Sequence, residues 1–229
     1  MTKLTASLLA ASLALLAAPA FAADLPAKAI VAPAAPAPTT TITLEGSPEF
    51  TANSSSSSYQ QLADVYGKGT VSHVVAPGWS VAAAVQGTVK TGGLYQYYAE
   101  VSGAYKAKLA DNFSVSLTGG VGGTWGTTGY VSATTFASTG TDPFAYYFIS
   151  ASADLKLDSH WTWNAINARY RNAFGRTWLT PKVSTGITYN IDATDAVYAN
   201  IGYSWKDHGD GKGLLADKFN VAVGYKYSF

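Results

Sequence analysis

The chain has 229 residues, a formal charge of +1 and no cysteine, so its length suits one domain with appendages, and disulfides and thiolate metal sites are excluded. Charged residues are only 13%, about half the usual share, and aromatics are another 13%, tyrosine and tryptophan prominent among them. That balance gives no reason to expect a nucleic-acid partner.

The chain opens as a secretory signal. Lys3 precedes the apolar run "LLAASLALLAAPAFA", which ends on Ala20-Phe21-Ala22. A positive start, an apolar core and a small-residue site make residues 1–22 a signal peptide cleaved after Ala22, and Pro19 argues against a retained anchor. Residues 23–39 begin "ADLPAK", are rich in Ala and Pro, and show neither strand nor helix period. They read as an extended periplasmic linker. Beyond them no run approaches the ~18 apolar residues that a spanning helix needs. If the mature chain enters a membrane, it does so as a closed barrel.

Residues 40–229 alternate with a period of two. "SHVVAPGWSVA", "KAKLADNFSVS" and "DLKLDSHWTWN" each carry an apolar residue, a tight turn and an aromatic that opens the next strand, and "YNIDATDAVYA" is a longer variant. Four hairpins give eight strands. The C-terminal "FNVAVGYKYSF" adds one, and "TITLEGSPEF" supplies another. The predicted fold is all-β, an antiparallel up-and-down barrel of ten strands, with eight as the alternative.

One parity of these strands collects Val, Ile, Leu, Ala, Gly and aromatics from Val65 through Trp205, with no Lys, Arg, Asp or Glu. "WTWNAINARYRN" breaks the frame, because strict alternation from Trp161 and Trp163 would turn Arg169 and Arg171 outward. A bulge near Ala165–Ile166 would restore the frame by turning Ile166, Ala168 and Tyr170 out. Charges facing lipid cost roughly 2–4 kcal/mol near the midplane, so the bulge is expected.

Three features put lipid rather than water outside. The strands are long enough to cross a bilayer. Aromatics gather at both strand ends: Trp79, Phe113, Trp161, Trp163, Tyr225, Tyr227 and Phe229 near the turns, Trp125 and Trp205 with several tyrosines at the other end. The connections are lopsided, tight on one side and long in "GTTGYVSATTFASTGTD" and "KDHGDGKGLLAD" on the other. The terminal aromatic strand resembles the C-terminal signature of Gram-negative outer-membrane proteins. With "ADLPAK" and the Ala/Pro stretch, the chain resembles small porin-like outer-membrane barrel proteins of alphaproteobacteria. The resemblance implies an outer-membrane location with a periplasmic N-terminus, contact with outer-membrane lipids and lipopolysaccharide, and recognition of Phe229 by the barrel-assembly machinery. It carries over no substrate. A monomer is expected at this size.

The opposite parity collects Asp64, Lys90, Glu100, Lys106, Asp154, Arg169, Arg171, Lys182 and Lys226, among further charges and many Ser, Thr, Asn and Gly. Buried charges need partners, and Asp64 stands opposite Lys90, so a salt bridge is expected there. The basic excess would favour anions in a continuous pore. A narrow channel for small hydrophilic solutes is the leading expectation, since the inward Ser and Gly argue for space. A barrel plugged by its own side chains, with a structural or envelope-integrity role, is the alternative. A lipid- or peptide-hydrolysing enzyme is the third reading. Only His208, beside Asp207 and Asp210, could serve it, and no G-x-S-x-G elbow is present. No catalytic, cofactor or metal site is expected.

Overall fold

The computed structural model describes residues 39–52, 60–90, 94–127, 130–132, 135–137, 143–175, 178–207 and 213–229. The signal segment, nearly all of the proposed linker, His208, Asp210 and most of "TANSSSSSYQQ" lie outside them. The strands are β1 (Thr40–Thr51), β2 (Leu62–Ala76), β3 (Trp79–Lys90), β4 (Leu94–Ala110), β5 (Phe113–Thr127), β6 (Tyr130–Ser132), β7 (Thr135–Ala137), β8 (Phe144–Lys156), β9 (Trp161–Ala173), β10 (Lys182–Asn190), β11 (Asp195–Asp207) and β12 (Leu214–Ser228).

Ten of them close into an antiparallel barrel in the order β1-β12-β11-β10-β9-β8-β5-β4-β3-β2, while β6 and β7 pair apart from it within the connection between β5 and β8. The first strand therefore meets the last. Thr40 N–H donates to Phe229 O at 2.8 Å and Phe229 N–H returns to Thr40 O at 2.9 Å. This pairing decides for ten strands over eight: β1 lies between β2 and β12, and closure leaves no edge.

The turns follow from their residues. Gly78 has φ 77°, and a Cβ there would lie 2.9 Å from Lys106 O, so Pro77-Gly78 suits the β2–β3 turn. Asp158 accepts the N–H groups of His160 and Trp161, both at 2.7 Å. Asp192 does the same for Thr194 at 2.7 Å and Asp195 at 2.8 Å. Side-chain carboxylates thus stand in for backbone acceptors at both bends. All four tight turns and both barrel termini share one end, the turn end. The opposite, loop end carries the longer connections, with one short exception between Lys90 and Leu94.

Alternation sorts the side chains. Outward Ile201 and Val85 are 61% and 64% exposed, whereas Tyr146 and Asp64 on the other parity are 0% and 4% exposed. The β9 bulge forms where expected. Ala153 faces Ile166 but Asp154 faces Asn164, and across β10 Ser184 faces Asn167 while Gly186 faces Asn164. Ile166 and Tyr170 consequently lie on the exposed outer surface. Two bulges at the loop end were not foreseen, at Glu49/Phe50 against β2 and at Ser204/Trp205 against β12.

Rings line both rims of the outer wall. At the turn end Trp79 packs on Tyr105 at 4.9 Å, Trp161 on Tyr189 at 4.7 Å, and Tyr227 on Phe229 at 5.8 Å. Nearby, Trp163 Nε1 donates to Thr185 Oγ1 at 3.2 Å, Tyr225 donates its hydroxyl to Asp195, and Phe113 stands opposite Leu155. At the loop end Tyr97 stacks on Trp125 at 6.1 Å and Tyr203 meets Trp205 at 4.9 Å. An apolar band between two aromatic rims matches a bilayer with two interfaces.

Candidate functional site: the barrel lumen

The inward parity brings charged residues from separate strands together. Glu100 of β4 reaches over β5 and β8 to Arg169 of β9, with which it forms a hydrogen-bonded ion pair. Its other oxygen lies 3.8 Å from Lys68 Nζ of β2, and Tyr146 OH donates to Oε1 at 2.7 Å. One carboxylate thus meets two cations and a phenol from three other strands. The Arg169 guanidinium also lies 4.4 Å from the centroid of Phe148.

Nearer the loop end, Arg171 is ringed by aromatics. Its guanidinium carbon lies 4.4 Å from the Trp178 ring and 5.3 Å from both Tyr98 and Tyr146, and its Nε donates to Thr180 Oγ1 at 2.9 Å. Cation–π contacts of this kind are worth more once desolvated. Nearer the turn end, Lys106 Nζ lies 3.1 Å from Asp154 Oδ2. Asn164 Nδ2 donates to Asp154 Oδ1 at 3.1 Å, and Thr188 Oγ1 donates to Asn164 Oδ1 at 2.9 Å. Lys226 Nζ sits 4.9 Å from the Tyr198 ring centroid, and the Lys182 side chain lies against Gly202.

One expected contact is corrected. Asp64 does stand opposite Lys90, but the ion pair it forms is with Lys218 of β12, whose Nζ also holds Glu49 Oε2 at 3.1 Å. The bulge at Glu49/Phe50 accompanies this arrangement, in which Lys218 reaches both carboxylates across β1. A register pair fixes backbone neighbours, whereas long charged side chains select among several partners within reach.

The inward glycines also behave differently from expectation. A Cβ on Gly120 would lie 2.5 Å from the Phe148 ring, and one on Gly122 2.6 Å from the Tyr146 ring. Tyr198 covers Gly224 in the same way. These glycines are not spare volume. They are the places where rings from the next strand lie against the wall. Tyr66, Tyr98, Tyr146, Phe148 and Tyr198 share the inward parity, so the alternation that located the charges could have located them too. Trp178 precedes β10 and gave no such signal. Among the described residues no three His, Asp or Glu side chains gather as a metal site requires.

No protein-family model matches the chain, and no curated protein does. Solved structures do. The β-domain of the Bordetella autotransporter BrkA shares 10% identity, with 84% of this chain and 99% of that one covered and a TM-score of 0.51. An outer-membrane channel from Pseudomonas putida F1 shares 10% identity over 84% of this chain and 95% of the other, with a TM-score of 0.50. At such identities the likeness concerns the fold alone. Together with the apolar wall, the paired aromatic rims and the polar interior, it defines the class of fold: a closed ten-stranded antiparallel β-barrel of the architecture seen in outer-membrane proteins.

Proposed function

We propose that this barrel is a narrow channel for small hydrophilic solutes in the outer membrane of a Gram-negative cell, with a preference for anions. The carrying observation is the interior itself. Ionisable groups follow one another from Lys106–Asp154 near the turns, through Lys68–Glu100–Arg169, to Glu49–Lys218–Asp64 near the loops. Several retain access to water: Lys68 is 26% exposed, Arg169 23% and Lys218 25%. Where the only demand is a stable interior, apolar side chains of similar volume serve as well as ion pairs or better, so a charged interior favours a role in passing polar solutes. The basic excess supports anion preference. The Glu100–Arg169 bar is then the constriction.

In this reading the turn end and the N-terminus face the periplasm, the aromatic rims meet outer-membrane lipids and lipopolysaccharide, and the barrel-assembly machinery engages the strand ending in Phe229. The barrel works as a monomer and catalyses no reaction. A sealed barrel with an envelope-integrity role is the second reading, favoured by fully buried Tyr146 and the rings seated over Gly120, Gly122 and Gly224. Planar-bilayer recording from purified, folded protein separates the two. Small unitary steps with a reversal potential shifted toward the chloride equilibrium potential support the channel. No steps in the wild type or in Glu100→Ala/Tyr146→Ala, which thins the constriction, overturn it.

A further inference from the structure

Eight of the ten junctions around the barrel join strands linked directly in sequence and a ninth, β5–β8, is linked through β6 and β7; five of the nine connections are tight enough to limit the register. The junction of β1 with β12 has no such link, because its strands lie at opposite ends of the chain. Alternation alone leaves its register open. A slip of one residue would turn lipid-facing side chains inward, but a slip of two preserves every inside–outside assignment. In either two-residue slip Ile42, Leu44 and Gly46 would still face outward beside Val223, Tyr225 and their neighbours.

The lumen face of β1 carries what alternation lacks. Thr41 Oγ1 and Ser228 Oγ are 2.8 Å apart. Glu45 accepts Tyr198 OH of β11 at 2.7 Å on one oxygen and Tyr66 OH of β2 at 2.8 Å on the other, spanning the junction. Glu49 and Asp64 hold Lys218 between them. Between these links lies Pro48. The flanking pairs Gly46/Val223 and Glu49/Asn220 place Pro48 opposite Val221, where it has no N–H to give. The Ser47 hydroxyl lies 3.1 Å from Val221 O and 3.0 Å from Pro48 O, so its one proton is shared between the cross-strand and the local carbonyl, and Asn220 Nδ2 donates to Ser47 Oγ at 3.0 Å. Ser47 and Asn220 are buried, at 1% and 4% exposure. A two-residue slip moves these partners by about 6.8 Å, beyond any hydrogen bond.

From this we infer that the polar ladder Glu45–Ser47–Glu49 is a register lock for barrel closure, a role independent of whether the lumen conducts. The outer face adds one register-specific contact, the Phe50–Phe219 stack at 4.9 Å, which the test leaves in place.

The chain has no cysteine, so engineered pairs report register without background. Leu44→Cys with Tyr225→Cys marks the native register, since these residues are opposite. Leu44→Cys with Val223→Cys or with Tyr227→Cys marks the two slips, because diagonal neighbours lie too far apart for a disulfide. Each pair is refolded from urea into lipid vesicles and oxidised, with the ladder intact or replaced by Glu45→Gln, Ser47→Ala and Glu49→Gln together. With the ladder intact only the native pair links. Without it the slipped-to-native ratio rises about tenfold or more, the loss expected when one or more hydrogen bonds to charged groups no longer discriminate. A Val81→Cys/Gly103→Cys pair across β3–β4 keeps its register in both backgrounds. Linkage solely at the native pair in the ladder-free chain overturns the inference. If that chain does not reach the heat-shifted folded form on a gel, Ser47→Ala alone decides: added slipped product supports the lock, and a wild-type pattern refutes it.

Discussion

Replacing Glu100 by Gln keeps the side chain's shape and removes the charge between Arg169 and Lys68. Glu100 is 11% exposed and its partners 23% and 26%, so water screens the loss only in part. Removing one member of a buried pair typically costs 3–5 kcal/mol, because the other charge stays behind. Partial water access lowers the expectation here to about 2–4 kcal/mol, with Tyr146 OH still able to donate to the amide oxygen. The second arm is Arg169→Met, whose thioether covers Phe148 without a charge. If the bar is one energetic unit, the double variant recovers part of the loss, and the cycle gives a coupling of about 1.5 kcal/mol or more. The assay is urea unfolding from vesicles, followed by tryptophan fluorescence. A coupling below about 0.5 kcal/mol would refute the reasoning, since independent sites add to within that margin.

Inward and outward glycines should part company. Gly122→Ala drives a methyl into the Tyr146 ring, which Glu100 holds, and should destabilise by about 1–3 kcal/mol, whereas Gly119→Ala meets open space and should fall within about 0.5 kcal/mol of wild type; urea midpoints of the pair check this. On the lipid wall, Ile201→Lys at mid-strand should cost roughly 2–4 kcal/mol in vesicle refolding, and Phe229→Lys, at the rim, about 1 kcal/mol or less. At the turns, backbone N–H groups of Thr194 and Asp195 hold the Asp192 carboxyl below the usual carboxylate range, and those of Trp161 and His160 do the same for Asp158. A carboxyl lowered on folding stabilises above its unfolded value, and the contribution is lost as pH falls through the folded one. Protection of the Thr194 amide, taken relative to its intrinsic exchange rate at each pH, should therefore fall in the wild type as pH drops below the usual aspartate range. Asp192→Asn, which cannot titrate, should show no such step.

The two-residue period placed the ten-strand wall, the turn residues placed the four hairpins, and the rule that charged side chains stay off the outer face placed the β9 bulge. The first strand was legible for the same reason, since "TITLEGSPEF" alternates like the rest. What alternation cannot carry is distance across the lumen. It put Asp64 opposite Lys90, correctly, and Lys218 on the inward face, yet could not pair Asp64 with Lys218, which arrives from the far end of the chain. Nor could it tell that the inward glycines are covered: a Cβ on Gly120 or Gly122 would meet the Phe148 or Tyr146 ring presented opposite by β8.

The position of the chain ends has a practical outcome. Thr40 and Phe229, the two ends of the barrel, hydrogen-bond to each other beside the tight turns, so a tag or fusion partner appended after Phe229 hangs from that rim, at the opposite end from the longer connections. Cargo meant for the opposite face has to be spliced into those connections instead. Conversely, a short peptide joining Phe229 to Thr40, in a chain without the residues before the barrel, would close it into a circle that can be cut open elsewhere.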